Sequence, residues 1–199
     1  MVRIILAGLL GGAVLFGWGA VSWMVLGEVW HQMDTLPSED RMVAALQTTG
    51  TESGIYFVPG YPDLKGLSPE EKEAGTSAWS ERHRIGPIGL LVYRAQGYEP
   101  MDRMVFVRGF IINVVMALLA AWVLSMAAPS IGGYMGRVIF VGLIGLFTGV
   151  WAHMVDWNWL SYPLRYSLEM TADTVIGSLL MGLVLAAIIK PRFGSPPGG

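Results

Sequence analysis

The chain contains no cysteine, so disulfides, thiolate metal sites and cysteine nucleophiles are excluded at the outset. Charge is scarce as well. Asp, Glu, Lys and Arg supply 14% of the 199 residues, against roughly a quarter in soluble domains. The formal net charge of −2 gives no electrostatic case for nucleic acid as a partner. No Walker loop, Rossmann glycine fingerprint, Ser-x-x-Lys, Gly-x-Ser-x-Gly or HExxH occurs. A hydrolase, a kinase or a nucleotide-dependent enzyme therefore has no residues to rest on, and the chain leans away from catalysis.

What is abundant is apolar and small. Hydrophobic residues make up 53% of the chain, with 26 glycines and 12 methionines, and the mean hydropathy is +0.52. Close helix contact in lipid favours small residues, so this composition fits a membrane bundle. Four runs are long enough to cross the hydrocarbon core, which takes about 20 helical residues. The predicted fold class is a membrane all-α four-transmembrane-helix bundle. A small α/β extracytoplasmic domain is expected between helices 1 and 2.

The first span is expected over residues 4–27. Ala20-Val21-Ser22 loosely resembles a signal-peptidase site, but the apolar run continues through Trp23-Met24-Val25-Leu26, longer than a secretory h-region. It reads as a retained helix. Gly8 and Gly12 form a GxxxG pair, and Ala13 with Gly17 repeats the spacing. The second span is expected over 104–127, where Asn113, Ala117, Ala121 and Ser125 recur every four residues. The third is expected over 136–155, with Gly142, Gly145 and Gly149 at its centre, and an aromatic outer loop over 156–172. The fourth is expected over 173–190, carrying Ser178, Gly182 and Ala186 on one stripe, and a flexible tail over 191–199 closes the chain.

Residues 28–103 are polar and of mixed charge. Ser38 before Glu39-Asp40 and Ser68 before Pro69-Glu70-Glu71 read as two helix starts. Gly54 to Val58 and Ile88 to Tyr93 read as strands. His83 lies on the charged second helix and is expected to be solvated. Arg3, Arg137, Lys190 and Arg192 flank one side of the bundle, which by the positive-inside tendency places both termini in the cytoplasm.

The spans are expected to carry no ionisable group at their central depth, which argues against a pump, an ion-coupled transporter or a voltage sensor. Polar groups gather at the outer rim instead. Glu28 and His31 follow span one at i, i+3, and His153 and Asp156 end span three at the same spacing. Asp173 opens span four. His153 continues the Gly145–Gly149 spacing, which aims it at a neighbouring helix. One reading of His31, His153, Asp156 and Asp173 is a divalent metal site, since imidazole and carboxylate suit zinc, iron or manganese. A variant has His31 or His153 as an axial ligand to haem. The plainer reading is a hydrogen-bonded cap on the bundle. The tryptophans and tyrosines near the span ends read as aromatic belts at the membrane boundary.

Trp30-His31, Tyr56-Phe57-Val58-Pro59 with Tyr61-Pro62, and Asp156-Trp157-Asn158-Trp159 through Pro163 together resemble an uncharacterised family of bacterial four-helix integral membrane proteins. That resemblance implies a bacterial cytoplasmic membrane and carries no catalytic residues. The function expected is that of a non-catalytic accessory or assembly subunit of a larger bioenergetic or envelope complex. Its partners would be the lipid bilayer and other membrane subunits or further copies of itself. The alternative is a metal- or haem-binding membrane protein with its site at the outer rim.

Overall fold

The computed structural model describes residues 1–27 and 33–191. Glu28, Trp30 and His31 lie outside the described residues, as does the tail from Arg192 onward. The contacts divide the chain into two units.

The larger unit holds four helices long and apolar enough to cross a membrane, the mark of a multi-pass membrane protein. Helix α1 is Val2–Ala20 and continues as a π-helical turn over Val21–Val25. Three further elements lie in the membrane-length segments: α4 (Arg103–Ala127), α5 (Gly133–Gly149) and α7 (Leu164–Ile188). A 3-10 turn, Ala128–Ser130, joins α4 to α5. A second π-helical turn, Val150–Met154, follows α5, and a further α turn, α6 (Val155–Leu160), follows that.

Glycine decides which helices touch. A Cβ on Gly12 would lie 2.6 Å from the Val114 Cα, and one on Gly8 would lie 2.3 Å from the Leu118 side chain, so α1 meets α4 at nearly backbone distance. Gly142, Gly145 and Gly149 do the same for α5 against Leu179, Ser178 and Thr171 of α7. Gly177 admits Leu15 and Trp18 of α1 against α7. In lipid, where apolar side chains gain little from leaving their surroundings, such close approach is the main source of helix cohesion. The spatial order is α4, α1, α7, α5. Helices α4 and α5 touch each other only sparsely, and none of the described glycines sits between them.

The packed core lies in the half of the bundle nearer the termini, around Ala7, Ala117, Ala121, Leu124, Val141, Leu185 and Ile189. Arg137 is also buried there, at 7% exposure. Its guanidinium donates to the carbonyls of Gly133 (2.9 Å) and Ala186 (3.2 Å). The second bond satisfies one of the last-turn carbonyls that α7 leaves open. The arginine expected to flank the bundle thus works inside it.

Two boundaries differ from expectation. The aromatic segment 156–172 is not a loop: the third membrane-length helix runs to Leu160, and α7 already begins at Leu164. The break is short, with Ser161 at φ 62° ahead of Pro163. Polar residues ended the apolar runs in the sequence without ending the helices, because they bond within them. Arg165 pairs with Glu169 one turn on (2.7 Å). The hydroxyls of Thr171 and Thr174 donate to the carbonyls of Ser167 and Met170, four residues back.

The smaller unit comprises residues 33–99 and 156–163. It contains α2 (Glu39–Thr48), β1 (Gly54–Val58), α3 (Pro69–Ile85) and β2 (Gly89–Tyr93). The two strands pair antiparallel, Gly54 opposite Tyr93 and Val58 opposite Gly89. Helix α3 starts with a capping box: the Glu71 N–H donates to Ser68 Oγ and the Ser68 N–H donates to Glu71 Oε2. Ser38 makes no such bond. It sits in the left-handed region (φ 59°) with no side-chain cap. His83 is not simply solvated either, because its ring lies 5.1 Å from Trp79 and 6.3 Å from Phe57. Tyr61 packs edge-on to the same Trp79, whose indole donates to the Pro59 carbonyl.

Candidate functional site: a carboxylate inside the bundle

Asp173 stands on α7 three residues short of the helix midpoint. Its partners on α1 lie in the last third of the Val2–Val25 span, toward one end of the bundle. An ionisable group placed within a membrane span is costly unless paired or hydrogen-bonded, and by default marks a functional position. Here Asp173 Oδ1 accepts two hydrogen bonds from α1: the Trp18 indole Nε1 at 2.9 Å and the Ser22 hydroxyl at 2.6 Å. Ser22 is almost fully buried, at 1% exposure. The arrangement depends on Gly177, one turn further along α7. A Cβ there would come to 3.0 Å from the Trp18 ring, so glycine gives the indole room to lie across the helix and reach the carboxylate.

The next residue, Thr174, is met from the other side. His153 Nε2 lies 3.4 Å from Thr174 Oγ1. That hydroxyl also donates to the Met170 carbonyl (2.9 Å). Both reaching residues, Ser22 and His153, lie in the π-helical turns of their helices. A π turn inserts an extra residue into a helix and re-aims the side chains that follow, and such turns recur at functional sites. Two adjacent positions on α7 are thereby flanked by two such turns.

Beside this polar end opens a cavity of about 590 Å³, walled by all four membrane-length helices. Its volume falls in the range of small-molecule sites. Leu15, Met116, Leu119 and Met181 give it apolar walls, while Asp173, Thr174, Asn113 and Ser178 contribute polar groups. The Asn113 amide donates to the Gly109 carbonyl (2.9 Å), which leaves its oxygen as an acceptor. Met116 and Leu119 are about half exposed, at 47% and 54%. They stand on the flank of α4 where contact with α5 is sparse, so the cavity is a cleft with a lateral mouth.

Of the four residues considered for a metal, three are described: His153, Asp156 and Asp173. His31 lies outside the described residues, Asp156 belongs to the smaller unit, and Asp173 is engaged by Trp18 and Ser22. Among the described residues, no three His, Asp or Glu side chains are grouped so as to hold a metal ion. Sequence reasoning found Asp173 and His153. It missed Trp18, Ser22 and Thr174. The spacing of Trp18 and Ser22, one helical turn apart, was the available signal. Comparison with protein-family models, with curated proteins and with solved structures finds no match to this chain.

Proposed function

We propose that this is a non-catalytic membrane protein, accessory to a larger membrane system, that holds a lipophilic small molecule in the cleft between α4 and α5. The molecule would enter sideways from the bilayer and rest a hydroxyl- or amine-bearing end against Asp173 and Asn113. The observation that carries this reading is the cavity of about 590 Å³, apolar along its walls and polar at one end. A close-packed interior has few voids larger than a water molecule. A cleft this large in a bundle otherwise closed at backbone distance is a feature to be filled. The Asp173 carboxylate and the Thr174 hydroxyl in the cleft are held in hydrogen bonds, and binding rather than turnover is the proposed role.

A second reading keeps the same cleft and changes its occupant to a transmembrane segment of a partner subunit. It is favoured by the exposed apolar side chains along α4, where Val115, Leu119, Trp122 and Met126 are 49–61% exposed. A photoactivatable residue at Leu119, irradiated in native membranes, separates the two. A small-molecule adduct at Leu119 and not at lipid-facing Phe147 supports the ligand. A protein adduct supports the partner segment. Identical adducts at both positions would end both readings. The rim metal or haem site has no grouped ligands behind it among the described residues. Localisation in a bacterial cytoplasmic membrane, with both termini cytoplasmic, is likewise proposed. It rests on Arg3, Arg137 and Lys190 at the termini end, and reporter fusions at each terminus test it.

A further inference from the structure

At the opposite end of the bundle from Asp173, three elements enclose a second, smaller cavity of about 270 Å³. Arg3 and Ile4 reach it from the start of α1, Ser125 and Pro129 from the end of α4 and its turn, and Ile189 and Lys190 from the end of α7. Met1 with its terminal ammonium, Arg3 and Lys190 share this pocket, and among the described residues no acidic residue lines it. Among the described residues neither Arg3 nor Lys190 has an ion-pair or side-chain hydrogen-bond partner. Among the other lining side chains none carries a negative charge. Ser125 gives its proton to the Trp122 carbonyl at 2.6 Å, Pro129 has no N–H, and the isoleucines are apolar.

Like charges that line one pocket favour an anion between them. We infer that this pocket binds the phosphate of an anionic phospholipid. The guanidinium presents a planar fork suited to phosphate oxygens, and the Lys190 ammonium adds a compact charge on the other wall. The position favours a lipid as the source of that phosphate. Arg3 and Lys190 stand at the ends of membrane-length helices, where head groups lie, and Ile4 and Ile189 provide an apolar wall for the glycerol and first acyl carbons. Basic pockets between helices are the expected form of such sites. The inference is independent of the cleft and of its occupant.

The test uses the full chain in nanodiscs of phosphatidylcholine, with or without phosphatidylglycerol, followed by native mass spectrometry. The expected result is one phosphatidylglycerol retained per chain where phosphatidylcholine is not. Each of Arg3→Gln and Lys190→Gln should weaken retention about fivefold, the effect of one basic residue at an anionic surface. Arg103→Gln, a cation at the other end of α4, should leave it unchanged. Both variant positions are exposed, so melting temperatures without anionic lipid should match the parent. Retention that survives the double variant, or that falls equally in Arg103→Gln, overturns the inference. Thermal stabilisation by inorganic phosphate in neutral detergent, with no gain from phosphatidylglycerol, overturns the headgroup assignment.

Discussion

Replacing Gly12 by alanine puts a methyl carbon 2.6 Å from the Val114 Cα and 2.8 Å from its backbone nitrogen. Carbon atoms in contact settle at about 3.5–4.0 Å, so the axes of α1 and α4 must part by about 1 Å. The neighbouring close contacts, Gly8 on Leu118 and Gly11 on Ala117, loosen with them. Overpacking of this kind costs about 1–3 kcal/mol, and a backbone obstacle places Gly12 toward the upper end. Alanine returns up to about 1 kcal/mol of helix propensity, leaving a net loss of about 1–2 kcal/mol. Gly17 lies on the same helix with nothing within 4 Å of its would-be Cβ. Gly17→Ala should therefore be neutral or stabilising by up to about 1 kcal/mol. Reversible unfolding in mixed micelles, followed by tryptophan fluorescence, reads both. If Gly12→Ala proves as stable as Gly17→Ala, the α1–α4 seam is not held by backbone approach and the helix order argued above fails.

Trp18→Phe keeps a ring over Gly177 but removes one donor from Asp173. It should destabilise the bundle by about 1 kcal/mol, within the range measured for polar contacts in membranes. Because Ser22 donates to the same oxygen, Trp18→Phe with Ser22→Ala should show a non-zero coupling energy in a double-mutant cycle; strict additivity would refute a shared acceptor. Ser167 is 1% exposed and its hydroxyl has no partner among the described residues. Ser167→Ala should then be neutral or slightly stabilising, and a clear loss of stability in the same unfolding assay would count against that. In the smaller unit, the Ser68 N–H and then its hydroxyl contact hold the Glu71 carboxyl below its ordinary 4.5. A lowered carboxylate pKa contributes stability above the ordinary value and loses it as pH falls through the folded one. Amide exchange at the start of α3 should accelerate below about pH 4.5, and exchange indifferent to pH after correction for intrinsic rates would refute the capping box.

Length and hydropathy were enough to read four membrane-length helices, because twenty apolar residues have few other ways to be satisfied. The small-residue stripes were equally legible where they lie on a packed face. Gly8, Gly12, Ala117, Ala121 and Gly145 all stand at helix contacts, whereas Gly17, read from the same four-residue spacing, touches nothing. Spacing identifies a candidate face and leaves open which neighbour occupies it. The capping box at Ser68 was visible because both partners lie within one turn. The start of α7 was not. Hydropathy stops at Asp173, while the backbone continues through polar residues that bond back onto their own helix. That displacement places Asp173 within α7 rather than at its first residue. The π turns that aim Ser22 and His153 leave no mark in composition or period, since they reflect tertiary packing around α7.

The cleft and its carboxylate are tested most directly by native mass spectrometry of the full chain released from nanodiscs made with its source membrane. The account predicts one bound lipophilic species per chain, distinct from bulk lipid. It should be diminished at least tenfold in Asp173→Asn and absent when Leu119→Trp fills the cleft mouth. A chain that carries only bulk lipid, with the same occupancy in both variants, would contradict it.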